Sequence, residues 1–242
     1  MIFRKKKINE QHPDFPVLSD TSYRKVLAFL EEKLVPEWYL EIGSRTGDSL
    51  RSIKGNYIAI DPEFCVQGNV LNKSKAMLFF QQTSDDFFDS GFLERSGIKP
   101  DFAFIDGMHL FEFALRDFMN LEKVMSERGV ICFHDVCPFN YEMTTRDLSY
   151  LDQGRPWTGD VWKTIAALVD KRPDLDIKIL NAHKTGLAVV TKLDAGNRVL
   201  QDSYDELLAT YVGMELKDIG ASAYYSRFDL MSAERYIAEG KI

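Results

Sequence analysis

The sequence predicts an α/β fold: a doubly wound, mostly parallel sheet with helices on both faces and an antiparallel hairpin at its C-terminal edge. Three observations carry this expectation. Four short runs, Trp38–Ile42, Tyr57–Ile60, Phe102–Ile105 and Val130–Phe133, are apolar on both faces, as strands buried in a parallel sheet are. Helix-length segments separate most of these runs. The first run enters a glycine turn, Gly43-Ser44-Arg45-Thr46-Gly47, with an acid, Asp61, eighteen residues after Gly43 at the end of the second run. A β-α-β unit holds a nucleoside in this way, because glycines let the backbone approach the ligand and the acid grips ribose hydroxyls.

Taken in order, the elements begin with a helix from Tyr23 to Leu34, where Asp20, Thr21 and Ser22 offer N-caps and Pro36 marks the end. A helix is expected after the glycine turn. A weaker strand, Met77–Gln81, falls between the second and third strong ones, and Thr83-Ser84-Asp85 turns into a helix at Phe87. Phe111, Leu115, Phe118, Leu121 and Met125 recur at helical spacing, with Gly129 as the C-terminal stop. Asp160 is read as the cap of a helix running from Val161 to about Val169. Asp176–Leu180 and Gly186–Thr191 form the hairpin. Beyond Asp194 the pattern changes: Ser203-Tyr204-Asp205-Glu206 has the form of a capping box, and the aromatic stretch 221–242 is expected to pack on its own domain. The organisation is therefore an N-terminal arm (1–20), a main domain (21–194) with a lid (137–159), and a helical extension (195–242) that is also a candidate homodimer contact or cover over the substrate pocket.

Composition narrows the function. The 242 residues are 45% hydrophobic and 28% charged, ordinary for a globular chain, and the net charge of −7 argues against a nucleic-acid partner. The one basic cluster, Arg4-Lys5-Lys6-Lys7, reads as a solvated arm. No apolar run is long enough to span a membrane, and no apolar stretch at the N-terminus suits a secretory signal. Cys65, Cys132 and Cys137 form no Cys-x-x-Cys pair, so reduced thiols and a cytoplasmic location are expected.

The glycine turn itself discriminates among ligands. A diphosphate-binding loop needs a glycine where Arg45 stands and another after Gly47, and no Gly-Lys-Ser/Thr of a phosphate loop follows. A nucleoside with an amino-acid tail needs less clearance. A second cluster, Asp106-Gly107-Met108-His109 and His134-Asp135, ends two neighbouring strands on the edge where open parallel sheets bind ligands. His109 is a candidate general base, and its alternative role is to cap the following helix. In the lid, Trp157 and Arg155 or Arg146 are candidate substrate contacts, with Trp157 alternatively anchoring the loop.

Glu41-Ile42-Gly43-x-x-x-Gly47, Ile105-Asp106-Gly107-x-His109, Gly129-Val130-Ile131-x-x-His134-Asp135 and Gly159-Asp160-Val161-Trp162-Lys163 together resemble class I S-adenosylmethionine-dependent methyltransferases. They resemble in particular the Methyltransf_24-like subgroup, related to catechol-type and macrolide-sugar O-methyltransferases. The resemblance runs from about Tyr39 to Thr191. It implies a Rossmann-like fold, S-adenosylmethionine as cofactor, and O-methylation of a small polar or glycan-type acceptor. By position it implies cofactor contacts at Glu41, Gly43, Ser44, Gly47, Ser49, Asp61, Thr83, Ser84, Asp85 and Asp106. It implies a catalytic position for Asp106 beside the candidate base His109, and a Mg²⁺ site at Asp106, His134 and Asp135, with His134 also toward the substrate, where the loop residues Arg155 and Trp157 are read from their own position. The third acid of the catechol-type metal site is missing, since Val136 and Cys137 follow Asp135. Zinc on Cys132, His134, Asp135 and Cys137 is the alternative metal reading. A nicotinamide-dependent oxidoreductase and a non-catalytic binding protein are the alternative functions.

Overall fold

The computed structural model describes residues 11–71 and 75–242, so the Arg4–Lys7 cluster lies outside the described residues. Among the described residues eight strands form one sheet in the order β3-β2-β1-β4-β5-β7-β6-β8. They are β1 (Trp38–Ile42), β2 (Asn56–Ile60), β3 (Met77–Phe80), β4 (Phe102–Ile105), β5 (Val130–His134), β6 (Asp176–Leu180), β7 (Leu187–Thr191) and β8 (Leu230–Met231). β1 to β5 run parallel, and β7 lies antiparallel between β5 and β6. The expected hairpin is present, although the outer edge is β8, which pairs parallel with β6.

Alternation along the strands divides the apolar side chains between two cores. Leu40, Ile42, Ile58, Ile60, Ala103, Ile105, Ile131 and Phe133 face one. That core is covered by α2 (Ser84–Asp89), α3 (Phe92–Ser96), α4 (Phe111–Val124) and α5 (Val161–Lys171), with α6 (Val199–Asp202), α7 (Tyr204–Tyr211), α8 (Leu216–Ile219) and α9 (Ala221–Tyr225) adding to it. Tyr39, Tyr57, Phe102, Phe104 and Cys132 face the other, beneath α1 (Tyr23–Leu34) and α10 (Ala233–Glu239). The strands read as apolar throughout because both faces are buried.

Three local expectations are corrected. Only a 3₁₀ turn, Leu50–Ser52, follows the glycine loop. The segment between Ile42 and Asn56 is spent on the loop itself, and α1 and α10 cover the face a longer helix would have taken. Ser203 makes no side-chain cap, because α6 runs into α7 and the Ser203 hydroxyl donates back to Val199 O. Asp160 precedes α5 without capping it; its Oδ1 accepts the Phe111 N–H and so caps α4.

The C-terminal stretch packs on its own domain, as expected. Tyr224 is buried and donates to Val136 O, and Tyr225 donates to Pro138 O. Among the described residues no helix is long and apolar enough to cross a membrane.

Candidate active site

The strand order reverses between β1 and β4, and loops leaving their carboxyl ends diverge to leave a crevice. Gly43 sits at this point with φ +90°, and a Cβ there would lie 2.0 Å from Asp106 O. Only glycine lets the β1 loop lie on the β4 loop so closely. Gly47, also at positive φ, turns back with its N–H donating to Ser44 O.

Glu41 is wholly buried behind this loop. Its two oxygens accept from Tyr39 OH at 2.5 Å and Ser49 Oγ at 2.6 Å. Burial nevertheless pushes its pKa up to about 7. Asp61, at the end of β2, accepts the backbone N–H groups of Arg45 (2.9 Å) and Glu63 (2.8 Å), so it also staples the glycine loop to the second strand. Thr83 is the N-cap of α2, accepting from Asp86 N and donating to Asp86 Oδ2. Asp85 is held bidentately by Arg116, at 2.9 and 2.7 Å.

The strand-end cluster assembles as one unit. His109 Nε2 lies 3.4 Å from Asp106 Oδ1 and 3.3 Å from Asp135 Oδ2. His134 Nδ1 lies 3.1 Å from Asp106 Oδ1 and 3.5 Å from Asp135 Oδ2. Asp135 adopts a left-handed backbone conformation, φ 58°, uncommon for a non-glycine residue. That turn brings its carboxylate back over β4 instead of continuing the strand. Burial opposes charge on His134, His109 and Asp106, but the opposite charges outweigh it. Asp135 and Asp106 raise His134 well above the ordinary histidine value and raise His109 as well, while His134 and His109 hold Asp106 far below the usual carboxylate range.

His109 has a defined orientation. Its Nδ1–H donates to Trp157 O at 3.0 Å, and its ring stacks on Trp157 with centroids 5.1 Å apart. Trp157 is buried, and its Nε1 donates to Thr145 O. Gly159 packs directly on His109 O, and the Asp160 N–H donates to the same oxygen. The 137–159 loop thus grips the histidine from behind and leaves Nε2 facing the two aspartates. Arg155 sits farther out on the same loop, 3.8 Å from Glu142, and Arg146 is occupied by Glu112 and Asp160.

Asp106, His134 and Asp135 each offer one ligand atom within 4.8 Å of the others. Cys132 and Cys137 stand apart from this group; both are buried, with thiol pKa values raised by desolvation. Two contributors to the cluster were missed in the sequence. Tyr23, the first residue of α1, lies with its ring 3.9 Å from His134, and Thr185 Oγ1 lies 3.2 Å from His134 Nε2. Neither is adjacent in sequence to any motif, so no spacing rule singles them out.

A parallel sheet with this switch point, and a site built on the ends of β1, β2, β4 and β5, defines the class I, Rossmann-like methyltransferase fold. A methyltransferase-domain family model matches residues 40–136. No curated protein matches the chain. Among solved structures, cofactor-bound Rv0187 from MTB is 15% identical, covering 74% of this chain and 84% of its own, with a TM-score of 0.50. The SAH-bound methyltransferase PaMTH1 of Podospora anserina is 14% identical over 71% of this chain and 78% of its own, with a TM-score of 0.49. An O-methyltransferase from Bacillus cereus in complex with SAH is 15% identical over 70% and 80%, also at 0.49.

Proposed function

We propose that the protein transfers a methyl group from S-adenosylmethionine to an oxygen of a small polar or sugar-type acceptor, with His109 as general base. One observation carries this reading: the glycine turn at Gly43 and the His109–Asp106–Asp135 cluster meet at the same sheet crevice, backbone against backbone. When bound, the sulfonium supplies an activated methyl group, leaving alignment and proton removal to the protein. Asp61 would meet the ribose, and the loop from Gly43 to Gly47 would pass beneath the amino-acid tail. His109 already commits Nδ1–H to a carbonyl, so its Nε2 is the nitrogen that takes the acceptor's proton. Asp106 and Asp135 stabilise the imidazolium that results.

The donor set also suits a divalent cation held by Asp106, Asp135 and His134, which would lower the proton affinity of an acceptor hydroxyl. An imidazole among three donors favours a metal of mixed nitrogen–oxygen preference over Mg²⁺, which takes oxygen. Calorimetry with S-adenosylhomocysteine tests the cofactor directly, and repeating it with Mg²⁺, Mn²⁺ or EDTA tests the metal. Saturable binding of S-adenosylhomocysteine is expected; its absence would sink the methyl-donor reading. Turnover indifferent to EDTA would leave His109 to act without a metal.

A further inference from the structure

The two edges of the sheet are treated differently. One ends in β8, a strand of only two residues. The other ends in β3, and among the described residues no strand pairs with its outer side. Proteins commonly protect such an edge with charge, proline or a bulge. β3 and its continuation, Met77-Leu78-Phe79-Phe80-Gln81-Gln82, carry no charge and no proline. Pairing with β2 sets the hydrogen-bonding phase of this strand. Tyr57 N donates to Ala76 O and Asp61 N to Phe80 O, so residues 76, 78 and 80 bond inward. Met77 and Phe79 therefore turn their N–H and C=O groups outward, where unpaired backbone is a template for another strand. The side chains agree with the backbone. Phe79 is 40% exposed although it meets the Tyr57 and Phe64 rings, and Met77, Leu78 and Phe80 are only partly buried.

We propose that β3 pairs with β3 of a second copy of this chain, antiparallel about a twofold axis at Phe79, to make one continuous sheet across a homodimer. The inference is independent of the methyl-donor reading. A twofold axis normal to the sheet reverses the strand and brings residues of one face against residues of the same face. With Phe79 opposite the partner's Phe79, the two exchange both backbone hydrogen bonds. Met77 then faces the partner's Gln81, and Leu78 lies beside the partner's Phe80. Charge selects the same arrangement. Lys75, exposed, precedes the strand, and Asp86, also exposed, follows it, tied to Thr83 Oγ1 at 2.6 Å. Asp85 is already taken by Arg116. The antiparallel register sets Lys75 against the partner's Thr83 and Asp86, twice over, whereas a parallel one sets Lys75 against the partner's Lys75. Each copy has one such edge, so pairing uses it up and assembly stops at two.

Sedimentation equilibrium on the full chain, at about 0.15 M salt, tests the pairing. Between about 1 and 100 μM the parent is expected to show a monomer–dimer equilibrium and nothing larger. Phe79→Lys puts like charges on the axis and should raise the dissociation constant by about thirtyfold or more, with a parental thermal melt. Lys75→Glu should raise it by about tenfold, since the axis repeats the lost pair. Adding Asp86→Lys to Lys75→Glu restores opposite charges across the axis and should return the constant to within about threefold of the parent. A parent that stays monomeric, or that forms larger assemblies, overturns the proposal. A folded Phe79→Lys variant that dimerises as tightly as the parent overturns it too, because the contact then lies elsewhere. If Phe79→Lys shows no cooperative melt, the charge pair carries the test, and a double variant no tighter than Lys75→Glu alone is the overturning result.

Discussion

At the scale of single residues, the charges of the His–Asp cluster govern its response to pH. Burial alone would drive protons off His134 and His109, but Asp135 and Asp106 reverse the balance and raise both pKa values above the ordinary 6.5. A group raised on folding contributes stability that is complete below its unfolded value and lost as pH rises through its folded value. The metal-free protein is therefore expected to lose stability as pH climbs above about 6.5, toward the raised histidine values. Urea denaturation in EDTA across this window measures the slope, and His134→Gln should flatten it. A slope identical in parent and variant would mean that His134 does not carry the linked proton. The kinetic prediction concerns His109. Its replacement by Ala should lower methyl transfer by about 10²- to 10⁴-fold, the usual contribution of a general base, while S-adenosylhomocysteine affinity stays within about twofold. A parallel loss of cofactor affinity would recast His109 as a residue that supports the binding loop.

Between elements, Asp160 joins three parts of the site. Its Oδ1 caps α4 through Phe111 N at 2.6 Å, and its Oδ2 accepts from Arg146 (2.6 Å) and from Lys163 (2.7 Å). Its own backbone N–H donates to His109 O. Asp160 and Lys163 are both buried, so Asp160→Ala strands a buried ammonium as well as an uncapped helix. A loss of about 3–5 kcal/mol in chemical denaturation is expected, since breaking a buried pair leaves an uncompensated charge. A loss below about 1 kcal/mol would show that water replaces the carboxylate there. The same residue shows where sequence reading stops. Asp160 is legible as a cap because it precedes an apolar helical run, yet the donor it satisfies is 49 residues away. The strands, α1 and the α4 stripe were legible because period and apolarity are local properties. The approach of Tyr23 to His134, and of Asp117 to Gly107, depends on the fold and leaves no local trace. Gly43 lies between these cases: its glycine is visible in sequence, but the reason for it is Asp106 O. Gly43→Ala is accordingly expected to abolish S-adenosylhomocysteine binding, because the added Cβ meets backbone that cannot swing aside. Retained affinity would show that the β1 and β4 loops can separate without cost.

For the molecule as a whole, the question is whether the segment beyond the hairpin is an appendage or part of the domain. Leu200, Leu207, Tyr211, Leu216, Ala221 and Tyr224 belong to the core on the α4–α5 face, while Ala233 and Tyr236 belong to the core under α1. The extension therefore closes both faces of one sheet, and β8 covers the edge of β6 that would otherwise stand open. Each large apolar side chain so buried contributes roughly 1.5–3 kcal/mol, whereas a domain's net stability is only about 5–15 kcal/mol. Removing the segment costs more than the fold has in reserve. A chain ending at Asp194 is thus expected to lack a cooperative thermal transition and to aggregate, even though it retains every motif of the candidate site. The loss would reach the site as well, because Tyr224 OH holds Val136 O, next to Asp135 in the strained turn. Tyr224→Phe removes that bond alone and is expected to keep a cooperative melt while loosening Asp135. Light scattering on the full chain supplies the complementary measurement for a homodimer. With so much of the extension's apolar surface committed to its own domain, any dimer through the extension would rest on side chains still exposed, such as Val199 and Ile242. A truncated chain that melts cooperatively and binds S-adenosylhomocysteine would show instead that residues 1–194 form a self-sufficient domain to which the rest is attached.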